Sequence, residues 1–392
     1  MIRMRKKKFF ILVLFIVICS VTLTAGGLIF YGKVIDNSVT VSEENYKELY
    51  EFANKYSKLY SLQKVIDEKF LWDIDDEKML NGVYKSMTES LGDKYSDYMT
   101  KDEMEKFRNY LDGTFSGVGI NFAQDKDGNI VVLRIVEGSP ASESGIKPGD
   151  YLIAVNGKKY ESTEKMAVDM RGKEGTEVDI TYSRDGKEKT VKITRALVTE
   201  KSVFSKVLKD KIGYIAITSF EKTTAEQFET ELRNLEMKNL KGLIIDLRGN
   251  GGGYTDQGIK IADMLLPECT ISYTEDKNGK KEYYNSDASG TELKYALLVD
   301  GGTASTSEIL AAAVKDNKGG KLVGERTFGK GIIQGTYPFA DGSAVKLTIM
   351  QFYSPKGDTI HKKGIEPDYK VKIKESDKVD KQLKKAIRLL SE

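Results

Sequence analysis

Two residues could together carry out nucleophilic chemistry. Ser305 stands in Asp300-Gly301-Gly302-Thr303-Ala304-Ser305-Thr306-Ser307-Glu308-Ile309, between an apolar run at 295–299 and a second at 309–314. That pattern predicts a strand-to-helix turn built of small residues, open to close approach by a peptide backbone. The N–H groups of the following helix would favour negative charge developing there. The same position also suits an ordinary N-cap serine. A nucleophilic serine needs a base, and the sequence has a single histidine, His361, in a polar loop at 358–364 of a kind usually found at the surface. A lysine can replace histidine in this role. Lys330 lies 25 positions after Ser305, between Gly329 and Gly331. As a base it must lose its proton near neutrality, so its ordinary pKa of ~10.4 has to fall by ~3 units. Phe328, Ile332 and Ile333 would supply the apolar wall for that; otherwise Lys330 is a solvated surface charge. A third element is Asp246-Leu247-Arg248-Gly249-Asn250-Gly251-Gly252-Gly253. A glycine run after a strand presents bare N–H groups, as an oxyanion requires. It would equally make a phosphate-binding loop or a plain turn, although it lacks the Gly-Lys-Ser/Thr and Gly-x-Gly-x-x-Gly endings.

The surrounding elements read as an alternation from about residue 197 onward. Strands are predicted at 214–217, 243–246 and 296–299, and helices at 224–240, 254–266 and 307–315. This is the pattern of a layered α/β core. A charged amphipathic helix closes the chain at about 377–390. Before the core, residues 114–196 change character: β-type runs at 130–133 and 178–182 are punctuated by turns at 127–129, 148–150, 156–157 and 185–186, with one helical stretch at 163–170. Residues 43–110 read as helical, with Leu49, Ala53, Tyr56 and Tyr60, then Leu80, Val83, Met87 and Leu91, at helical spacing. A capping box at Thr100–Glu103 starts another helix. The region is either an ordinary packed helical segment or an oligomerisation arm; the tyrosine-rich stripe from Tyr46 to Tyr60 suits both.

The N-terminus predicts a membrane tether. Residues 9–31 are 23 uncharged positions, and ~20 apolar residues span a bilayer. Five of the 61 basic residues, Arg3, Arg5, Lys6, Lys7 and Lys8, precede that run, leaving 56 basic against 59 acidic residues in the rest. Such a cluster should stay in the cytoplasm and place the body outside. A cleaved signal peptide is the alternative, but its apolar region is usually ~7–15 residues, and the nearest small-residue site is Thr24-Ala25-Gly26-Gly27. The mildly acidic body lacks the basic stripe of a nucleic-acid binder. Two cysteines, Cys19 and Cys269, exclude a disulfide framework. No Cys/His cluster has metal-ligand spacing, so neither metal nor cofactor is expected.

Taken together, Gly-Thr-Ala-Ser305-Thr-Ser-Glu-Ile and Thr-Phe-Gly-Lys330-Gly-Ile-Ile-Gln334 resemble the active-site motifs of the C-terminal processing (tail-specific) serine proteases, including their spacing. Asp-Leu-Arg248-Gly-Asn250-Gly-Gly252-Gly253, the 360–368 segment, Gly213-Tyr214-Ile215 and Leu91-Gly92-Asp93-Lys94-Tyr95-Ser96 resemble further segments of that family. The β-rich module resembles a PDZ domain, with Gly117-Val118-Gly119-Ile120 where such domains receive a peptide C-terminus, followed by Ser139-Pro140-Ala141 and 145–150.

The resemblance implies an α+β multidomain chain: N-terminal transmembrane helix (1–32), helical region (43–110), PDZ domain (114–196), α/β protease core of the ClpP/crotonase-like type (197–375) and C-terminal helix (376–392). It implies a Ser-Lys dyad with Ser305 as nucleophile, Lys330 as base and Gln334 orienting the lysine. An oxyanion hole would combine the N–H of Thr306 with that of Gly252 or Gly253. Thr303 and Thr306 stand where many relatives have Ser and Ala. Arg171 resembles an arginine that couples the PDZ domain to the protease. The expected protein is a single-pass, extracytoplasmic endopeptidase acting on protein substrates and their C-termini, with homodimerisation through the helical regions. The other readings are a catalytically silent PDZ-bearing scaffold and an acyl-CoA enzyme of the crotonase type.

Overall fold

A computed structural model describes residues 5–34, 41–125, 128–160, 162–287, 290–374 and 376–392. Arg3 of the basic cluster and Asp127 of one expected turn lie outside these. The chain divides into two units, residues 1–79 and 80–392.

The first unit holds two long helices, Lys6–Val34 and Glu43–Lys69. Lys6–Tyr31 is the one stretch among the described residues long and apolar enough to cross a membrane. The second helix begins at Ser42, whose side chain accepts a hydrogen bond from the Asn45 N–H at 3.2 Å, satisfying one orphan donor of its first turn.

The second unit is built around a six-stranded sheet. Its parallel strands run in the order Tyr369–Lys370, Lys321–Gly324, Tyr295–Val299, Gly242–Asp246 and Ile212–Ile217, and Val203–Val207 joins antiparallel at the edge. Helices cover both faces, which is why the central strands read as unbroken apolar runs. Leu243, Ile245, Leu297 and Val299 face helices Thr224–Glu236, Thr255–Leu265 and Thr306–Asp316. Ile244, Ala296 and Leu298 face Ala386 and Leu390 of helix Lys381–Ser391. Each large apolar side chain buried this way contributes roughly 1.5–3 kcal/mol.

A second, antiparallel sheet joins Asp97–Met99, Ala344–Tyr353, Cys269–Asp276 and Lys281–Ser286 in that order, with Ile332–Pro338 also paired to Ala344–Tyr353. The strand Asp97–Met99 corrects the helical reading of 43–110, in which only Asp76–Glu89 and Lys101–Asp112 follow the long arm helix. Tyr98 and Met99 are buried, and the strand pairs with Lys346, Val345 and Ala344. A partner that far along the chain leaves no local periodicity to read. The expected capping box is present: Thr100 Oγ1 accepts from the Glu103 N–H and Glu103 reaches back to the Thr100 N–H.

The β-rich module is a five-stranded antiparallel sheet in the order Ile120–Gln124, Ile130–Ile135, Tyr151–Val155, Glu177–Arg184 and Lys187–Thr194. Ile120–Gln124 is an edge strand, with helix Thr163–Met170 packed beside it. A two-stranded ribbon, Thr114–Gly117 against Ala196–Thr199, carries the chain into and out of the module.

Candidate active site

Ser305 is the residue before helix Thr306–Asp316, at the carboxyl end of strand Tyr295–Val299. Its backbone has φ 57° and ψ −120°. A β-carbon is costly there, so surrounding contacts must impose the conformation. They do: the Ala304 N–H donates to the Asn250 carbonyl at 3.0 Å, and the Ser305 N–H donates to Glu308 Oε2 at 3.0 Å. A sharp turn of this kind lifts a serine Oγ clear of the sheet.

The glycine segment after strand Gly242–Asp246 lies directly against this turn. Gly252 has φ 100°, and a β-carbon on it would sit 2.8 Å from the Ser305 Cβ and 3.0 Å from the Thr306 nitrogen. Only glycine fits. Fully buried Asn250 anchors the segment: its Nδ2 donates to the Ile217 carbonyl at 2.8 Å, and its Oδ1 accepts the Gly252 N–H at 2.9 Å. Thr306 Oγ1 donates to the Gly253 carbonyl at 2.9 Å. The N–H groups of Thr306 and Gly253 have no hydrogen-bond partner among the described residues. Arg248 turns away from the serine, pairing with Asp246 at 2.6 Å and Asp380 at 2.8 Å.

Lys330 enters from the loop before strand Ile332–Pro338. Its N–H donates to Glu308 Oε2 at 2.8 Å, the oxygen that also receives the Ser305 N–H. Glu308 Oε1 accepts from the Gly329 N–H at 2.7 Å and from Thr327 Oγ1 at 2.5 Å. One fully buried carboxyl group therefore holds the serine turn and the lysine loop together. The Lys330 ammonium lies over the Tyr95 ring, 5.0 Å from its centre. Burial pushes its pKa down, helped by the charge of Lys346 and opposed by Asp93 and Glu308. No hydrogen bond joins Lys330 to Ser305 or to Gln334 among the described residues; the Gln334 Nε2 donates to Thr348 Oγ1 at 3.3 Å.

Tyr95 belongs to the 91–96 segment, whose role the sequence left unassigned. Asp93 accepts from the Tyr95 N–H at 3.1 Å and Ser96 Oγ at 2.6 Å, and Ser96 Oγ accepts the Thr348 N–H at 3.0 Å. The segment is thereby stitched to the sheet beside Lys330. His361 is not the surface residue its loop suggested. Its Nδ1 is buried without a partner among the described residues, and its backbone packs on Gly331. Burial, then Lys362, pushes its pKa down.

In the β-rich module, Val118 and Ile120 are buried, and Gly119, with φ 82°, lies so close to Ser139 that a β-carbon would meet its Cβ at 2.2 Å. Gly117 ends the ribbon strand and Ile120 opens the edge strand, so the four residues form the bend at the head of the groove between edge strand and helix. Arg171, following helix Thr163–Met170, stacks its guanidinium 5.3 Å from the centre of the Phe115 ring on the ribbon.

Residues 211–371 match peptidase family S41, residues 116–194 a PDZ domain, and residues 21–103 the activating protease CtpB N-terminal domain. A peptidase core carrying a PDZ module defines the class: this is a PDZ-bearing serine protease. The chain belongs to the C-terminal processing protease family within peptidase family S41. It is 37% identical over 326 residues to the carboxy-terminal processing protease CtpA of Bacillus subtilis, covering 82% of this chain and 70% of that protein. It is 36% identical over 328 residues to CtpB of the same organism, covering 81% and 68%. Among solved structures, the photosystem II D1 C-terminal processing protease superposes with a TM-score of 0.51 at 26% identity, covering 90% of this chain and 98% of that one.

Proposed function

We propose that this protein is a membrane-tethered, extracytoplasmic endopeptidase in which Ser305 is the nucleophile and Lys330 the general base. The observation that carries this reading is the shared Glu308 oxygen, which holds the backbones of both residues within one hydrogen bond of the same atom. Burial supplies the second requirement, a lysine biased toward its neutral form. In the reaction, Ser305 Oγ attacks the scissile carbonyl while Lys330 Nζ takes its proton. The tetrahedral oxyanion is held by the N–H groups of Thr306 and Gly253; Gly252 is set aside because its N–H already donates to Asn250. Collapse breaks the C–N bond, and the proton on Lys330 passes to the departing amine. Water then cleaves the acyl-enzyme by the same route.

For this to occur, the lysine side chain swings from the Tyr95 ring to Ser305, as catalytic contacts often tighten only with substrate bound. Gln334, whose register partner is Thr348, orients Lys330 there. The PDZ groove receives a substrate C-terminus by strand addition to Ile120–Gln124, and Arg171 relays its occupancy to the ribbon. The apolar helix Lys6–Val34 anchors the chain, with the basic cluster inside, and the arm helix provides the surface for a second copy. A fluorophosphonate probe tests the central claim. Wild-type chain should be labelled on Ser305, and Lys330→Ala should lose labelling and proteolysis together while its circular dichroism is unchanged. Full activity in Lys330→Ala would overturn it.

A further inference from the structure

Helix Lys101–Asp112 presents Met104, Phe107, Arg108 and Leu111 at positions i, i+3, i+4 and i+7, on one face. That face walls an open pocket of about 470 Å³ that Tyr254, Thr336 and the exposed Lys222 also line. Two of its lining residues sit on the segments that carry the candidate active site. Tyr254 directly follows Gly253. Thr336 lies two residues beyond Gln334 on the same strand, hence on the same face, and pairs in register with Lys346. The Lys346 ammonium lies 5.0 Å from the centre of the Phe107 ring, so one cation bridges the pocket wall and the neighbourhood of Lys330.

The charges around the pocket are unbalanced. Of its two carboxylates, Asp256 pairs with Lys260 at 3.0 Å, and Asp112 accepts from Tyr254 Oη at 2.7 Å, which leaves one negative charge against three cations. Arg108, Lys222 and Lys346 have no carboxylate partner among the described residues. Apolar walls remove a hydrocarbon side chain from water, while guanidinium and ammonium groups at the rim attract an anion. We propose that this pocket is a substrate subsite that seats a large apolar side chain whose neighbour in the peptide is Asp or Glu, with Arg108 as the residue that selects the charge. The proposal rests on the reading of Ser305 as nucleophile, which places the scissile bond beside Gly253.

The test uses the full-length chain in detergent and a set of peptides with one fixed C-terminus, so that capture by the PDZ groove is constant. They differ only at adjacent positions: Leu-Glu, Leu-Lys, Ser-Glu and Ser-Lys. The Leu-Glu peptide should have a kcat/KM about tenfold or more above Leu-Lys and Ser-Glu, the scale on which apolar pockets discriminate. Arg108→Glu should invert the Glu-over-Lys preference, and Lys222→Glu should weaken it, keeping a second variant in hand should the first fold poorly. Affinity of the same peptides for Ser305→Ala chain, with and without Arg108→Glu, is measured by fluorescence anisotropy. An unchanged ranking in both charge variants overturns the subsite. Charge-selective binding without any Ser305-dependent cleavage would sustain the subsite and overturn the catalytic reading instead.

Discussion

Glu308 is buried with no ion-pair partner among the described residues, and its two oxygens accept four hydrogen bonds, from the N–H groups of Ser305, Gly329 and Lys330 and from Thr327 Oγ1. A glutamine in its place would turn an NH₂ group toward some of those donors. Leaving a buried donor unpaired costs about 1–3 kcal/mol. Glu308→Gln is therefore expected to lower unfolding free energy by about that much and to cut kcat more than KM, because the serine and lysine lose their common reference point. Thermal denaturation and steady-state kinetics on one preparation check both; a variant stable and active as wild type would refute the positioning role. Lys330 gives a sign that can be worked out in advance. Its folded-state pKa is lowered, by burial first. Between that value and the ordinary ~10.4, the unfolded chain binds more protons than the folded one, so stability rises with pH across that window. Below the folded pKa the half-buried ammonium costs the native state in full. Lys330→Met should thus be more stable than wild type at neutral pH, with the gap closing as pH rises, while wild-type cleavage increases as pH passes through the folded-state pKa and then levels off. A gap that widens with pH would contradict the burial argument.

The elements show which parts of this arrangement local sequence can carry. Strand Tyr295–Val299 and the helix behind Ser305 were legible because a strand buried on both faces is apolar throughout and the helix resumes that character at Ile309. The β-rich module was legible from its turns, several of which place glycine or asparagine at positive φ, as at Asn156, Gly157 and Gly186. The strained backbone of Ser305 was not, because it is imposed by Asn250 and Glu308 and not by its neighbours' propensities. Nor was the platform under Lys330: Tyr95 comes from a segment far away in sequence, joined through the short strand Asp97–Met99. Strand Lys281–Ser286 is largely exposed and offers no apolar alternation at all. Glu308 did stand in plain sight three residues after Ser305, where an N-cap's partner belongs; what sequence could not show is that its carboxyl also reaches the lysine loop. At the groove of the PDZ module, Gly119 combines φ 82° with close approach to Ser139. Gly119→Ala should therefore weaken binding of a peptide with a free C-terminus and leave binding of its amidated form unchanged. Calorimetry on both peptides checks this, and equal losses would mean that the glycine serves only folding.

For the molecule as a whole, the first question is its placement. On the proposed topology, protease added to intact cells or spheroplasts should digest the body and spare the first ~30 residues, as the positive-inside rule requires; a protected body would reverse the assignment. The second question is what the PDZ module does to the peptidase, and here the ribbon is decisive. Its first strand begins just beyond Gly113, whose missing β-carbon would meet the carboxyl of Glu221. The residue before Glu221 is Phe220, which binds the glycine segment through its N–H to the Gly252 carbonyl at 3.0 Å and its carbonyl to the Tyr254 N–H at 2.7 Å. The module is thus rooted beside the proposed oxyanion hole, and Arg171 grips that root through Phe115. Gly117 and Ala196 are register partners, so residues 118–195, Arg171 among them, can be replaced by an Asn-Gly turn that closes the ribbon as a hairpin and keeps its two strands paired. Cleavage of an unstructured protein by that shortened chain should change several-fold, and Arg171→Ala in the undeleted chain should move it in the same direction, while cleavage of a short peptide that needs no PDZ capture stays within about twofold. A rise identifies the module as a lid over the site; a fall identifies it as the device that delivers the substrate. A chain indifferent to both changes would mean that the ribbon transmits nothing, and that Arg171 does no more than cover an aromatic ring.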